Sequence, residues 1–135
     1  MTDLQKAKSL LKDDVTCALC KGERVYLTKE RGVKPLLTWI YSGEDFSSFS
    51  AADKVVGKAA AFLYVLMKVD CVYANVISSP ARQTLNAFGI KLEYGQEVPA
   101  IRNRANTGFC PMETAVWDVD EPHKAYEIIK QKTSV

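Results

Sequence analysis

The residues with the most chemistry in this chain stand at Cys110-Pro111-Met112-Glu113. Proline is favoured at the first position of a helix, where its missing N–H would be unpaired anyway. That places Cys110 at the N-cap and Glu113 two residues beyond the proline. A thiol at a helix N-terminus faces the positive end of the macrodipole, which favours thiolate. Arg102 and Arg104 lie just upstream and act in the same direction. Glu113 is then an acid/base partner, or else it caps the backbone while Cys110 is a small buried hydrophobe. A second group is Asp53-Lys54-Val55-Val56-Gly57-Lys58. Asp53 is an acid/base candidate, and Lys58 and Gly57 are candidates for holding an anion at a helix N-terminus. A third is Arg102-Asn103-Arg104 with Asn106, two arginines around an asparagine in a loop, suited to clamping a carboxylate or phosphate.

Other residues lead away from metal chemistry. The chain has one histidine, His123, which excludes every two-histidine metal site. Cys17-Ala18-Leu19-Cys20 looks like half a zinc knuckle, but a structural zinc needs four ligands and no second pair is present. On a strand, residues three apart also point to opposite faces. Cys71 falls in an apolar run and reads as core. The expectation is therefore a site with no metal and no cofactor.

These groups must be carried by 135 residues, which is the length of one domain spanning 1–135. Eighteen basic residues against sixteen acidic ones leave +2, so neither a nucleic-acid binder nor a polybasic membrane binder is expected. The N-terminal segment is charged and has no apolar signal region, which with the reduced-looking cysteines predicts a cytoplasmic protein. Leu4, Ala7, Leu10 and Leu11 space as an amphipathic helix. Residues 15–20 and 24–28 read as a hairpin around Gly22. Residues 33–42 read as a short helix or turn. Ser50 to about Met67 reads as one long helix, opened by Ser50 and Asp53 at capping-box spacing, with Gly57 in its interior. Val69–Ser78 is a buried strand. Ser79-Pro80 opens a helix that Gly89 stops. Ile90–Val98 is a strand, and a last helix begins near Pro122. The order predicts an α/β fold, a three-layer α-β-α sandwich with a mixed central sheet.

That order resembles the cytidine-deaminase-like fold. The motifs DKVVGKAAA, from Asp53, and NRANTGFCPME, from Asn103, resemble a small prokaryotic family of unknown function placed in that superfamily. The resemblance covers nearly the whole chain and implies the fold and a pocket. A zinc deaminase carries His or Cys two residues before a Glu at one helix start, and Pro-Cys-x-x-Cys at the next. Neither set is present here. The expectation is a metal-independent pocket enzyme with Cys110 as nucleophile, Glu113 or Asp53 as acid/base, and Lys58, Asn103, Arg104 and Gly57 lining the ligand. The ligand would be a small polar or anionic metabolite, nucleotide-like by the resemblance. The alternative is a non-catalytic ligand-binding module that kept the fold. A homodimer is expected from open sheet edges.

Overall fold

A computed structural model describes residues 1–30, 32–102, 108 and 110–133. Its element order is α1 (Asp3–Leu10), β1 (Cys17–Lys21), β2 (Arg24–Thr28), α2 (Lys34–Tyr41), β3 (Ser50–Val56), α3 (Lys58–Met67), β4 (Cys71–Ser78), α4 (Ser79–Ala87), β5 (Lys91–Val98), α5 (Pro111–Ala115) and α6 (Pro122–Thr133). The five strands form one mixed sheet in the order β2-β1-β3-β4-β5. The β1 strand is antiparallel to both β2 and β3, whereas β3, β4 and β5 run parallel. This is the α/β sandwich with a mixed sheet that the sequence predicts.

The hairpin forms because Gly22 takes the left-handed turn conformation (φ 59°) that the two-residue connection demands. Along β1 the side chains alternate. Cys17 and Leu19 join the larger core under α2, α3, α4 and α6, while Ala18 and Cys20 face α1. The two cysteines of the Cys-x-x-Cys stretch are thus on opposite faces of the sheet. Small residues on both sides of that contact, Ala7 on the helix and Ala18 and Ala52 on the strands, let α1 lie close against the sheet. The larger core is closed by Phe49, Phe62, Tyr64, Leu19 and Leu36, all essentially fully buried.

One sequence expectation is overturned, and it matters for the site. The long helix from Ser50 does not exist: Ser50–Val56 is strand β3, and the helix begins only at Lys58. Alanine-rich sequence reads as helix by propensity, but β3 is a central strand between β1 and β4, and its small residues are what packing on both faces requires. Gly57, with an extended backbone (φ −96°, ψ 177°), is the N-cap that turns strand into helix, not an interior helix residue. Asp53 is therefore a strand residue and caps nothing. Ser50 spends its hydroxyl on Cys71 instead, at 3.1 Å. A smaller shift occurs at α4, whose N-cap is Ser78 rather than Ser79: Ser78 Oγ accepts the Ala81 N–H.

Candidate functional site

Parallel α/β units leave a crevice beyond the carboxyl ends of their strands. Here that crevice is a cavity of about 920 Å³, open to solvent, at the end of β3. The end of β3 supplies Asp53 and Gly57, the start of β1 supplies Cys17, and the start of α5 supplies Cys110 and Glu113. Its charged rim is mixed in sign, with Asp13, Asp14 and Glu30 beside Lys29, Lys54 and Arg102. Lys29 pairs with Asp14 at 3.4 Å, and Lys54 Nζ donates to the Asp13 carbonyl at 3.0 Å.

Asp53 sits half-buried in the cavity wall. Burial raises its pKa from 3.8 to about 6, against the opposing pull of the Tyr64 hydroxyl and of backbone N–H donors. Tyr64 Oη donates to Asp53 Oδ2 at 2.7 Å, and the Val55 N–H donates to Oδ1 at 3.3 Å. Cys17 lies directly opposite Asp53 across the β1–β3 ladder, with its sulfur 3.1 Å from the Tyr64 oxygen. Burial pushes both the Cys17 thiol and the Tyr64 hydroxyl well above their ordinary values, and the Asp53 charge adds to this.

Glu113 is the second polar centre, and it is only 2% exposed. Its Oε2 accepts the Lys58 N–H at 2.6 Å and the Ser78 hydroxyl at 2.5 Å, and its Oε1 accepts the Ile101 N–H at 2.7 Å. A carboxylate inside a protein needs such donors, and three of them hold it in place. Two helix starts meet on this one group, since Lys58 is the first residue of α3 and Ser78 caps α4. The helix N-terminal anion position that the sequence suggests for a ligand is therefore occupied by the chain's own carboxylate. Gly57 permits this: a Cβ there would sit 3.1 Å from both Glu113 Oε2 and Ile101 Cγ1.

Cys110 is the N-cap of α5, as the sequence predicts, and makes no side-chain capping bond. It is half-buried, whereas Cys17, Cys20 and Cys71 are buried. Its N–H donates to the Ile101 carbonyl at 2.8 Å, so Glu113 holds Ile101 and Ile101 in turn holds Cys110. With only five residues α5 gives little macrodipole.

Asp53, Gly57, Cys110 and Glu113 thus share one cavity. Lys58 does not join them through its side chain: Nζ turns away to the Trp117 carbonyl at 2.5 Å, and the residue is 8% exposed. The expectation that the Lys58 ammonium binds an anion thus meets a group already engaged by the chain itself, beside Phe62 one turn further along α3. Asn103, Arg104 and Asn106 lie outside the described residues. His123 is exposed at the start of α6. Tyr64, Cys17 and Ser78 are site residues that sequence reasoning misses. Tyr64 carries a signal all the same: it has the one hydroxyl in the apolar run Ala59–Met67, and a buried tyrosine hydroxyl needs a partner.

A zinc deaminase carries its ligands at the starts of two helices. Here those starts carry Gly57-Lys58-Ala59 and Ser79-Pro80-Ala81-Arg82, with no histidine or cysteine, and both face a carboxylate that already accepts three hydrogen bonds. This donor set does not fit a zinc ion. Among the described residues, no three His, Cys, Asp or Glu side chains gather at metal-holding range.

Comparison with known proteins finds a family and structural neighbours. The family model for TM1506, a domain of unknown function (DUF1893), matches residues 5–133. The crystal structure of a DUF1893 family protein (TM1506) from Thermotoga maritima is similar at a TM-score of 0.86 and 29% identity, over 98% of this chain and 91% of that one. A diaminohydroxyphosphoribosylaminopyrimidine deaminase/5-amino-6-(5-phosphoribosylamino)uracil reductase from Thermotoga maritima is similar at a TM-score of 0.46 and 14% identity, over 67% of this chain and 34% of that one. No curated protein matches the sequence.

Proposed function

We propose that this chain, which belongs to the DUF1893 family, is a pocket enzyme that works on a small polar or anionic metabolite with a cysteine and a carboxyl group. Cys110 is the nucleophile and Asp53 the acid/base. The observation that carries this reading is that the one partly accessible thiol and a carboxyl with a pKa of about 6 open into the same cavity. A group that titrates near neutral pH can both take and give a proton there. Glu113, held by three donors, positions the segment that carries Cys110 and is not the proton carrier. The ligand contacts of this reading are Arg102, which lines the cavity, and Asn103 and Arg104, which follow it in the sequence. The deaminase-like resemblance makes nucleosides and nucleotides the first compounds to try, by analogy of fold.

A second reading has an observation of its own. Two of the charged candidates, Lys58 and Glu113, are engaged in holding the fold, as they would be in a module that binds without reacting. A panel of nucleosides, nucleotides and small carboxylates separates the two readings. The expected result is a compound that raises the melting temperature and is turned over by the wild type but not by Cys110→Ser. Binding without turnover by either protein favours the module. Turnover by Cys110→Ser at the wild-type rate overturns the nucleophile assignment.

A further inference from the structure

The polar groups beneath the cavity form a chain whose direction follows from counting protons. An ionised carboxylate has none to give, so the 2.7 Å contact between Tyr64 Oη and Asp53 Oδ2 is a donation by tyrosine. That uses the only proton the Tyr64 hydroxyl has. The Cys17 sulfur, 3.1 Å from the same oxygen, must then be the donor in that contact. Three elements fix the arrangement. Cys17 on β1 and Asp53 on β3 are cross-strand partners, and α3 lays the fully buried Tyr64 over both. The two carboxyl oxygens consequently differ. Oδ2 is held by the tyrosine, whereas Oδ1 accepts the Val55 N–H at a longer 3.3 Å, and the Lys54 backbone N–H also supports the carboxylate.

We infer that Tyr64 is a positioning residue for the Asp53 carboxyl, that Cys17 strengthens it by donating its S–H, and that Asp53 exchanges protons with the cavity through Oδ1. The inference rests on the reading of Asp53 as the acid/base of the pocket, and deepens it. Hydrogen bonds in series polarise one another in a low-dielectric interior, so the Cys17 bond makes Tyr64 a better donor to the carboxylate. The β4 partner of Asp53 is Ala74, and Lys54 beside it is turned to the Asp13 carbonyl. The other titratable or charged groups of the cavity lining are Asp13, Asp14, Lys29, Glu30, Arg102, Cys110 and Glu113.

The test is the carboxyl ¹³C titration of Asp53 in the full chain, assigned with Asp53→Asn. The wild-type midpoint is expected near the value of about 6. Tyr64→Phe should raise it by roughly one pH unit. Cys17→Ala should raise it by less, Cys17→Ser should restore most of the difference, and the Cys17→Ala step should vanish in the Tyr64→Phe background. An equal Cys17→Ala step with and without the tyrosine hydroxyl, or a Tyr64→Phe midpoint at the wild-type value, overturns the chain. Should Tyr64→Phe fail to fold, Cys17→Ala against Cys17→Ser decides alone, and equal midpoints there overturn it. The titration needs no ligand and no reaction at Cys110, so it can fail while the proposed function stands, or stand while that function fails.

Discussion

At the scale of single residues, Asp53 works against the fold that holds it. Its pKa rises from 3.8 to about 6 on folding, so the folded chain binds this proton more tightly than the unfolded one. The contribution to stability is fully present below pH 3.8 and is lost as pH rises through about 6. Replacing the carboxyl with an amide removes the penalty. Asp53→Asn should stabilise the protein at pH 7.5, on the order of 2 kcal/mol, and change little at pH 4; urea unfolding at the two pH values measures the difference. Under the proposed function the same substitution should abolish turnover, and stabilisation with loss of turnover is the pattern of a group retained for chemistry. Asp53 is visible in the sequence as a candidate. Its environment is not, because Cys17 and Tyr64 reach it through strand pairing and helix packing, which local spacing does not encode.

At the scale of elements, the junction from β3 through Gly57 to α3 decides whether the site exists. Read from sequence, one helix spans it, since Ser50 and Asp53 mimic a capping box and alanines favour helix. The hairpin at Gly22 and the α4 start near Ser79-Pro80 are legible because turn and cap chemistry is local. The β3 strand is not, because its small side chains are chosen by neighbours on two faces. The junction makes a sharp prediction. In Gly57→Ala the new Cβ meets Glu113 Oε2 and Ile101 at 3.1 Å, and such overpacking costs about 1–3 kcal/mol. Glu113→Ala should cost more, about 3 kcal/mol or above, because it strips the acceptor from three donors at a buried position. Chemical denaturation measures both. Glu113→Ala should also speed labelling of Cys110, whose N–H is held by the Ile101 that Glu113 anchors.

At the scale of the whole molecule, the fold places a cavity where strand ends, three helix starts and the segment after β5 converge. The α/β class and layer order can be read from alternating elements. The cavity cannot, because it depends on β1 inserting between β2 and β3 and on a carboxylate from α5 reaching α3 and α4. No helix among the described residues is long and apolar enough to cross a membrane. The arrangement also distributes the thiols unequally, with three buried and Cys110 half-buried in the cavity wall. Alkylation of the native chain, followed by mass spectrometry with and without the metabolite panel, therefore tests the pocket most directly. The account predicts one label per chain, on Cys110, and a slower rate with any metabolite that raises the melting temperature. Labelling spread over the four cysteines, or a Cys110 rate indifferent to every stabilising metabolite, would contradict it.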